Sequence, residues 1–139
     1  MLAGVRFDGE PGLAGHSDAD VACHALAEAM LGAAALGDLG THLPDDDPAT
    51  EGLAGLELLG RIGSLVADAG LRLESCDLTV LAARPAIAPR REEMRRSLAR
   101  TLDAEVDRVS VKATRPEGLG LTGDGAACIA IAVLAPVRP

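Results

Sequence analysis

One segment limits this chain more than any other: the run from Val21 to Leu36, rich in Ala and Leu and closed by Gly37. Ser17 or Asp18 can cap such a helix, and Asp20 stands three residues after Ser17 as in a loose capping box. Gly37 is a natural stop. Around this helix the apolar patterning predicts the other elements in turn. Met1–Phe7 is a short apolar stretch that reads as a strand, ended by Asp8-Gly9-Glu10-Pro11-Gly12. The polar, Pro-bearing stretch from Asp38 to Gly52 reads as one long loop, and a loop of about fifteen residues in a small domain points to function. A second helix covers Leu53–Ala69, with Leu53, Leu56, Leu59, Ile62 and Leu65 on one stripe.

Beyond Gly70 the chain alternates differently. Leu71–Ala82 reads as a strand, Pro85 and Pro89 frame a connection, and a charged amphipathic helix follows over Arg90–Leu102. Val106–Thr114 reads as a strand, a turn containing Gly118, Gly120, Gly123 and Gly125 follows, and Ala126–Leu134 is the last strand. The order β-α-α-β-α-β-β, without internal repeats, predicts one α+β domain over residues 1–139, a small sheet with helices packed on one face.

Composition narrows the function. Asp plus Glu number 21 against 13 Lys plus Arg, a formal net charge of −8, so a phosphate backbone would be repelled. Phe7 is the single aromatic residue, which removes base stacking as well. Charges interrupt every apolar run before it reaches a membrane-spanning length, and no leader pattern stands at Met1–Glu10. The chain is expected to be soluble and cytoplasmic, with no nucleic-acid or membrane partner. Cys23, Cys76 and Cys128 form no C-x-x-C and sit among apolar neighbours, as free buried thiols in a reducing compartment do.

Three segments could carry chemistry. In Gly15-His16-Ser17-Asp18-Ala19-Asp20-Val21-Ala22-Cys23-His24, helical spacing sets Asp20 and His24 on one face. His16 and Ser17 lie at the helix rim, where free backbone N–H groups attract anions, so a phosphate could rest there with a metal on His24 below. A capping serine with two ordinary histidines explains the same residues, because one imidazole cannot hold zinc. The second segment offers Asp38, Thr41, Asp45, Asp46 and Asp47 for a polar ligand, or else is a solvated acidic loop. The third, Lys112 to Gly123, sets Thr114 and Arg115 beside a glycine-rich turn that can bind phosphate or simply close a hairpin.

Taken together, Gly15–Gly40, Leu43-Pro44-Asp45-Asp46-Asp47-Pro48, Val111-Lys112-Ala113-Thr114 and Gly118–Gly123 closely resemble the 2-C-methyl-D-erythritol 2,4-cyclodiphosphate synthase family of non-mevalonate isoprenoid biosynthesis. The resemblance runs through essentially the whole chain. It implies an α+β homotrimer with sites between subunits, zinc as cofactor and a second divalent ion, Mg or Mn, with the substrate. The implied reaction is that of a CMP-releasing phosphorus–oxygen lyase. The 2-phosphate of 4-diphosphocytidyl-2-C-methyl-D-erythritol 2-phosphate attacks the β-phosphorus and expels CMP.

By matching positions, His24 resembles the zinc-binding histidine, and His16 with Ser17 the pair on the methylerythritol phosphate. Asp38, Leu39 and Gly40 match the segment around the methylerythritol moiety, continued by Leu43, Pro44, Asp45, Asp46 and Asp47. Ala82, Ala83, Arg84, Pro85, Ala86, Ile87 and Ala88, together with Thr114, Arg115, Pro116 and Glu117, match the cytidine and diphosphate segments, and Leu121 and Asp124 belong to the following glycine-rich turn. His16 and Arg115 are the candidate catalytic residues.

The pattern also departs from the family. Gly4-Val5-Arg6-Phe7 matches the family's second strand, so the Asp-x-His that completes the zinc site is expected to be missing, and Asp8 and Glu10 are poor substitutes. Thr114-Arg115-Pro116-Glu117 replaces a run of three threonines and an acid, while Asp124 stands where the family has Arg and Ala126 where it has Glu. These changes leave two readings: the cyclase, or a diverged, non-catalytic trimer that binds a nucleotide or diphosphate.

Overall fold

A computed structural model of the chain describes residues 1–9, 20–120 and 125–138. The middle of the sheet is the strand Leu71–Ala82 (β1), with the bounds that its patterning predicts. It pairs in parallel with Val109–Thr114 (β2), from Cys76↔Val109 to Leu81↔Thr114, and antiparallel with Ala126–Pro136 (β3), from Leu71↔Pro136 to Ala82↔Ala126. The order is therefore β2-β1-β3, with a register shift between Leu73 and Ser75. The parallel pair needs a crossover, which the helix Arg91–Thr101 supplies.

Alternation along β1 sorts the two faces. Cys76, Leu78, Val80 and Ala82 are buried, whereas Asp77, Thr79 and Leu81 are only partly covered. The helix Val21–Ala33 (α1) lies over the buried face against β3 and against the helix Gly55–Asp68 (α3). Leu26, Met30 and Leu31 of α1 meet Leu59, Ile62 and Val66 of α3 in the core, each 1% exposed or less. Burying a leucine of this kind contributes about 2 kcal/mol, so this seam is the main source of stability. The opposite face of the sheet carries no helix among the described residues. There Ile129, Ile131 and Val133 of β3 are 62%, 63% and 51% exposed.

The helices on one face of a small sheet are as the patterning predicts, but several elements differ. Met1–Phe7 is not a strand. Leu2 and Val5 exchange two backbone hydrogen bonds of 2.9 Å around a tight turn, with Ala3 and Gly4 both at positive φ. Buried Asp20 causes this: its carboxylate accepts from Ala3 N at 2.8 Å and Gly4 N at 2.7 Å. A side chain at Gly4 would also collide with Leu56, whose Cδ1 lies 2.3 Å from the place a Cβ would take.

The same carboxylate accepts from Cys23 N at 3.1 Å, so Asp20, rather than Ser17 or Asp18, is the cap of α1. The helix stops at Ala33 instead of Leu36, since Ala35 and Gly37 take left-handed backbone conformations. The stretch predicted as one loop contains a helical turn, Leu39–His42 (α2), and a 3₁₀ turn, Pro48–Thr50. Val106–Arg108 is likewise a 3₁₀ turn leading into β2; Arg95 (on the crossover helix, α4) donates to its Val106 carbonyl at 2.8 Å and to Val109 O at 2.7 Å.

Candidate active site

A cleft of about 980 Å³ opens where the outer face of α1 meets the segment after it and the start of β3. Asp20 and Val21 begin its wall; His24 and Glu28, exposed and one helical turn apart, continue it. Leu39 and Gly40 of α2, then Leu43 and Asp45–Asp47, form the opposite side, and Ala126, Ala127 and Cys128 lie at the end.

Capping shapes the second wall. Asp38 caps α2, accepting from Thr41 N at 2.9 Å and from Thr41 Oγ1 at 2.8 Å. The Thr41 hydroxyl hydrogen bond is the main cause holding the Asp38 carboxyl below its ordinary range. Asp47 caps the 3₁₀ turn by accepting from Ala49 N at 2.9 Å, with Pro48 in the first position where no N–H is needed. Thr50 Oγ1 donates to Pro44 O and Asp47 O, closing the loop on itself. His42 Nε2 donates to Leu36 O at 2.7 Å, which commits that ring to the backbone. Glu28 Oε1 accepts from Leu39 N at 3.3 Å and ties α2 to α1.

The structure thus gathers His24, Leu39, Gly40, Leu43, Asp45, Asp46 and Asp47 around one cleft. It turns Asp38 into the cap that holds this wall in place. Asp20, 3% exposed, is committed instead to the turn and the helix cap, its two oxygens accepting from three backbone N–H groups. Among the described residues His24 is the one histidine that lines the cleft, and no three His, Cys, Asp or Glu side chains come together to hold a metal. The described donors alone do not fit a zinc site. Cys128 offers no thiolate, since burial and then the nearby Asp20 charge push its thiol up to about 12. Cys23 and Cys76 are buried as expected, and Cys128 is half-buried.

A second group of candidates lies elsewhere. None of Ala82–Ala88 or Thr114–Glu117 lines the cleft. Because β1 and β2 are parallel and Leu81 pairs with Thr114, both segments leave the sheet side by side at the same end. Ile87 is 3% exposed and pins the first of them, whereas Arg84, Ala86, Arg115 and Glu117 are exposed. Arg90, just after it, donates to Arg6 O at 2.8 Å, pairs with Glu93 through two hydrogen bonds and stacks over Phe7. His16, Ser17, Leu121 and Asp124 lie outside the described residues.

The electrostatics of the two groups are opposed. The cleft is lined by Asp20, Glu28, Asp45, Asp46, Asp47 and Glu51, with no Lys or Arg among the described residues. The strand-end group brings Arg84 and Arg115. Sequence reasoning overlooked Glu28, although its place four residues after His24 puts it on the same helix face.

Comparison with known proteins bears on the whole chain. The model of the YgbB family matches residues 1–136. A bifunctional enzyme IspD/IspF of Anaeromyxobacter sp. (strain Fw109-5) is 52% identical over 99% of this chain, which spans only 36% of that longer protein. The 2-C-methyl-D-erythritol 2,4-cyclodiphosphate synthase of Trichlorobacter lovleyi is 47% identical over 96% of this chain and 85% of its own length. A solved 2-C-methyl-D-erythritol 2,4-cyclodiphosphate synthase in its CDP-bound form superposes with a TM-score of 0.88 and 31% identity, over 97% of this chain and 89% of its own.

Proposed function

The chain belongs to the YgbB family, with the 2-C-methyl-D-erythritol 2,4-cyclodiphosphate synthases, and on that premise we propose that it catalyses the cyclisation for which they are named. The substrate is 4-diphosphocytidyl-2-C-methyl-D-erythritol 2-phosphate. An oxygen of its 2-phosphate forms a bond to the β-phosphorus, the bond from that phosphorus to the CMP oxygen breaks, and CMP leaves with the electron pair. In reaction class this is a phosphorus–oxygen lyase. The observation that carries the reading is the cleft, which brings His24 to the same cavity as Leu39 and Gly40 and as Leu43 and Asp45–Asp47.

No protein nucleophile is needed, because the substrate carries its own. The work left to the protein is to hold two phosphates in line and to offset charge as it builds. Leu39 and Gly40, fixed by the Asp38 cap, bind the methylerythritol, with Asp45–Asp47 continuing the wall. His16 and Ser17 hold its phosphate. Ala82–Ala88 receive the cytidine, and Thr114–Glu117, with Leu121 and Asp124 beyond, receive the diphosphate, Arg115 through a charge-assisted contact.

The acidic lining of the cleft supports two further parts of this proposal. A phosphate entering it needs cations that the described cleft residues do not supply. A neighbouring subunit would bring Arg84 and Arg115 to that position, which favours a homotrimer with its sites between subunits. The exposed Ile129, Ile131 and Val133 are the apolar strip such an assembly would cover. His24 is the proposed metal ligand, but a zinc ion there would require further ligands from beyond the described residues, so no step is assigned to a metal. No described helix is long and apolar enough to cross a membrane, in keeping with a cytoplasmic enzyme. Nothing in the cleft or among the relatives favours the non-catalytic alternative.

The test is CMP release from the authentic substrate, followed by chromatography. Stoichiometric appearance of CMP and the cyclic diphosphate is expected. Absence of CMP under conditions that sustain the Trichlorobacter lovleyi enzyme would refute the assignment.

A further inference from the structure

Glu28 is the cleft residue whose position has most to explain. It stands exposed on α1, one turn beyond His24 and on the same helix face, where a carboxylate gains nothing from packing. Its Oε1 accepts from the backbone N–H of Leu39 across eleven residues of sequence. Leu39 is the first residue of α2, and its N–H is one of the donors that a helix start leaves unpaired. The neighbouring cap, Asp38, accepts from Thr41 N and Thr41 Oγ1, and the side chain that accepts from Leu39 N is Glu28.

The other bonds of the segment are local: Thr41 to Asp38, His42 to Leu36, Leu43 to Leu39. They give α2 its shape but do not fix its distance from α1. Two anchors do so: the Leu39 side chain, 5% exposed in the same core as Leu26, Met30 and Leu31 of α1, and Glu28, which ties the Leu39 backbone to α1. A four-residue helix has no stability of its own, and its position in the cleft depends on such anchors.

We infer that Glu28 is a positioning residue for the cyclisation, holding the Asp38–Gly40 wall at a set distance from His24 so that the methylerythritol half of the substrate meets a preformed surface. This rests on the function proposed above. Glu28 touches no reacting atom in this account; it acts through Leu39. Its effect therefore falls on substrate and product binding more than on the turnover of bound substrate.

The experiment compares wild type, Glu28→Ala and Glu28→Gln, because glutamine keeps a carbonyl oxygen able to accept from Leu39 N–H. Three readouts are taken: amide exchange at Leu39 by NMR, calorimetric affinity for 2-C-methyl-D-erythritol 2,4-cyclodiphosphate, and KM against kcat for CMP release. Glu28→Ala is expected to speed Leu39 exchange at least tenfold, weaken product binding at least fivefold and raise KM similarly, with kcat within twofold. Glu28→Gln is expected to return exchange and affinity to within about twofold of wild type. Unchanged Leu39 exchange in Glu28→Ala overturns the inference, as does faster exchange with unchanged product affinity. A wild type that neither releases CMP nor binds the cyclic product sinks the proposed function, and this inference with it. A wild type that does both, beside an unimpaired Glu28→Ala, removes the role of Glu28 alone.

Discussion

The cleft along α1 and the group of candidate residues at the ends of β1 and β2 are built in opposite ways. The cleft wall is assembled from caps and buried anchors: Asp20 on three backbone N–H groups, Asp38 on Thr41, Asp47 on Ala49, Glu28 on Leu39. The strand-end group has Ile87 and Arg90 behind it but presents Arg84, Ala86, Arg115 and Glu117 to solvent. One half is acidic and pre-shaped; the other is exposed and carries the arginines. Among the described residues the two groups do not share the cleft, and the proposed site between subunits would bring them together as its two halves.

If association joins them, separating subunits should have the largest effect of any substitution. Ile131→Asp places a carboxylate on the exposed apolar strip, at a residue paired with Asp77 that lines no part of the cleft. The proposed trimer should fall to monomers by light scattering, and CMP release should be lost while the circular dichroism of the fold persists. Full activity in a monomer would break the comparison outright.

Within the chain, the halves should differ in what they cost the fold. Asp20→Ala leaves the Ala3, Gly4 and Cys23 N–H groups without their acceptor, two of them buried. It should lower stability by about 3 kcal/mol in urea unfolding. A loss under 1 kcal/mol would show that the turn and the cap do not depend on this carboxylate. Arg115→Ala, on the other half, should leave stability unchanged within about 0.5 kcal/mol, as exposed substitutions do. It should nonetheless weaken CDP about tenfold by calorimetry, the scale of one charge-assisted contact.

The smallest effect is expected on the open face of the sheet, where Asp77 pairs with Lys112 and both are partly exposed. The lysine's hydrogen bond is the main cause holding the Asp77 carboxyl below its ordinary range. The pair therefore stabilises fully above the unfolded carboxyl value of roughly 4, and that contribution is lost as pH falls through the lower folded value. Asp77→Asn should cost less than about 1 kcal/mol at pH 7, and the difference from wild type should shrink in acid. A difference that grows as pH falls would contradict the pairing.

How far the molecule could be read beforehand divides along similar lines. β1 carries its own alternation and both its bounds were legible, and α3 follows from its leucine stripe. Met1–Phe7 was not legible as a turn, because Asp20, far along the chain, organises it. The turns inside the stretch from Asp38 to Gly52 did leave local signals, Asp38 three residues before Thr41 and Asp47 before Pro48, which composition alone reads as loop. The His24 cleft follows from helical spacing combined with the family resemblance. Glu28 stayed hidden since its significance is a contact with Leu39, and the separation of the two halves is a matter of strand order that no motif records.

Subunit complementation tests the shared site most directly. His24→Ala damages the cleft half, and Arg115→Glu sets a repelling charge in the strand-end half. Each variant alone should release little CMP. Unfolded together in equal amounts and refolded, they should regain about a quarter of wild-type activity, because each mixed trimer contains one site with both halves intact. Mixed trimers, verified by mass, that stay as inactive as their parents would place both halves of the site in a single chain and contradict this account.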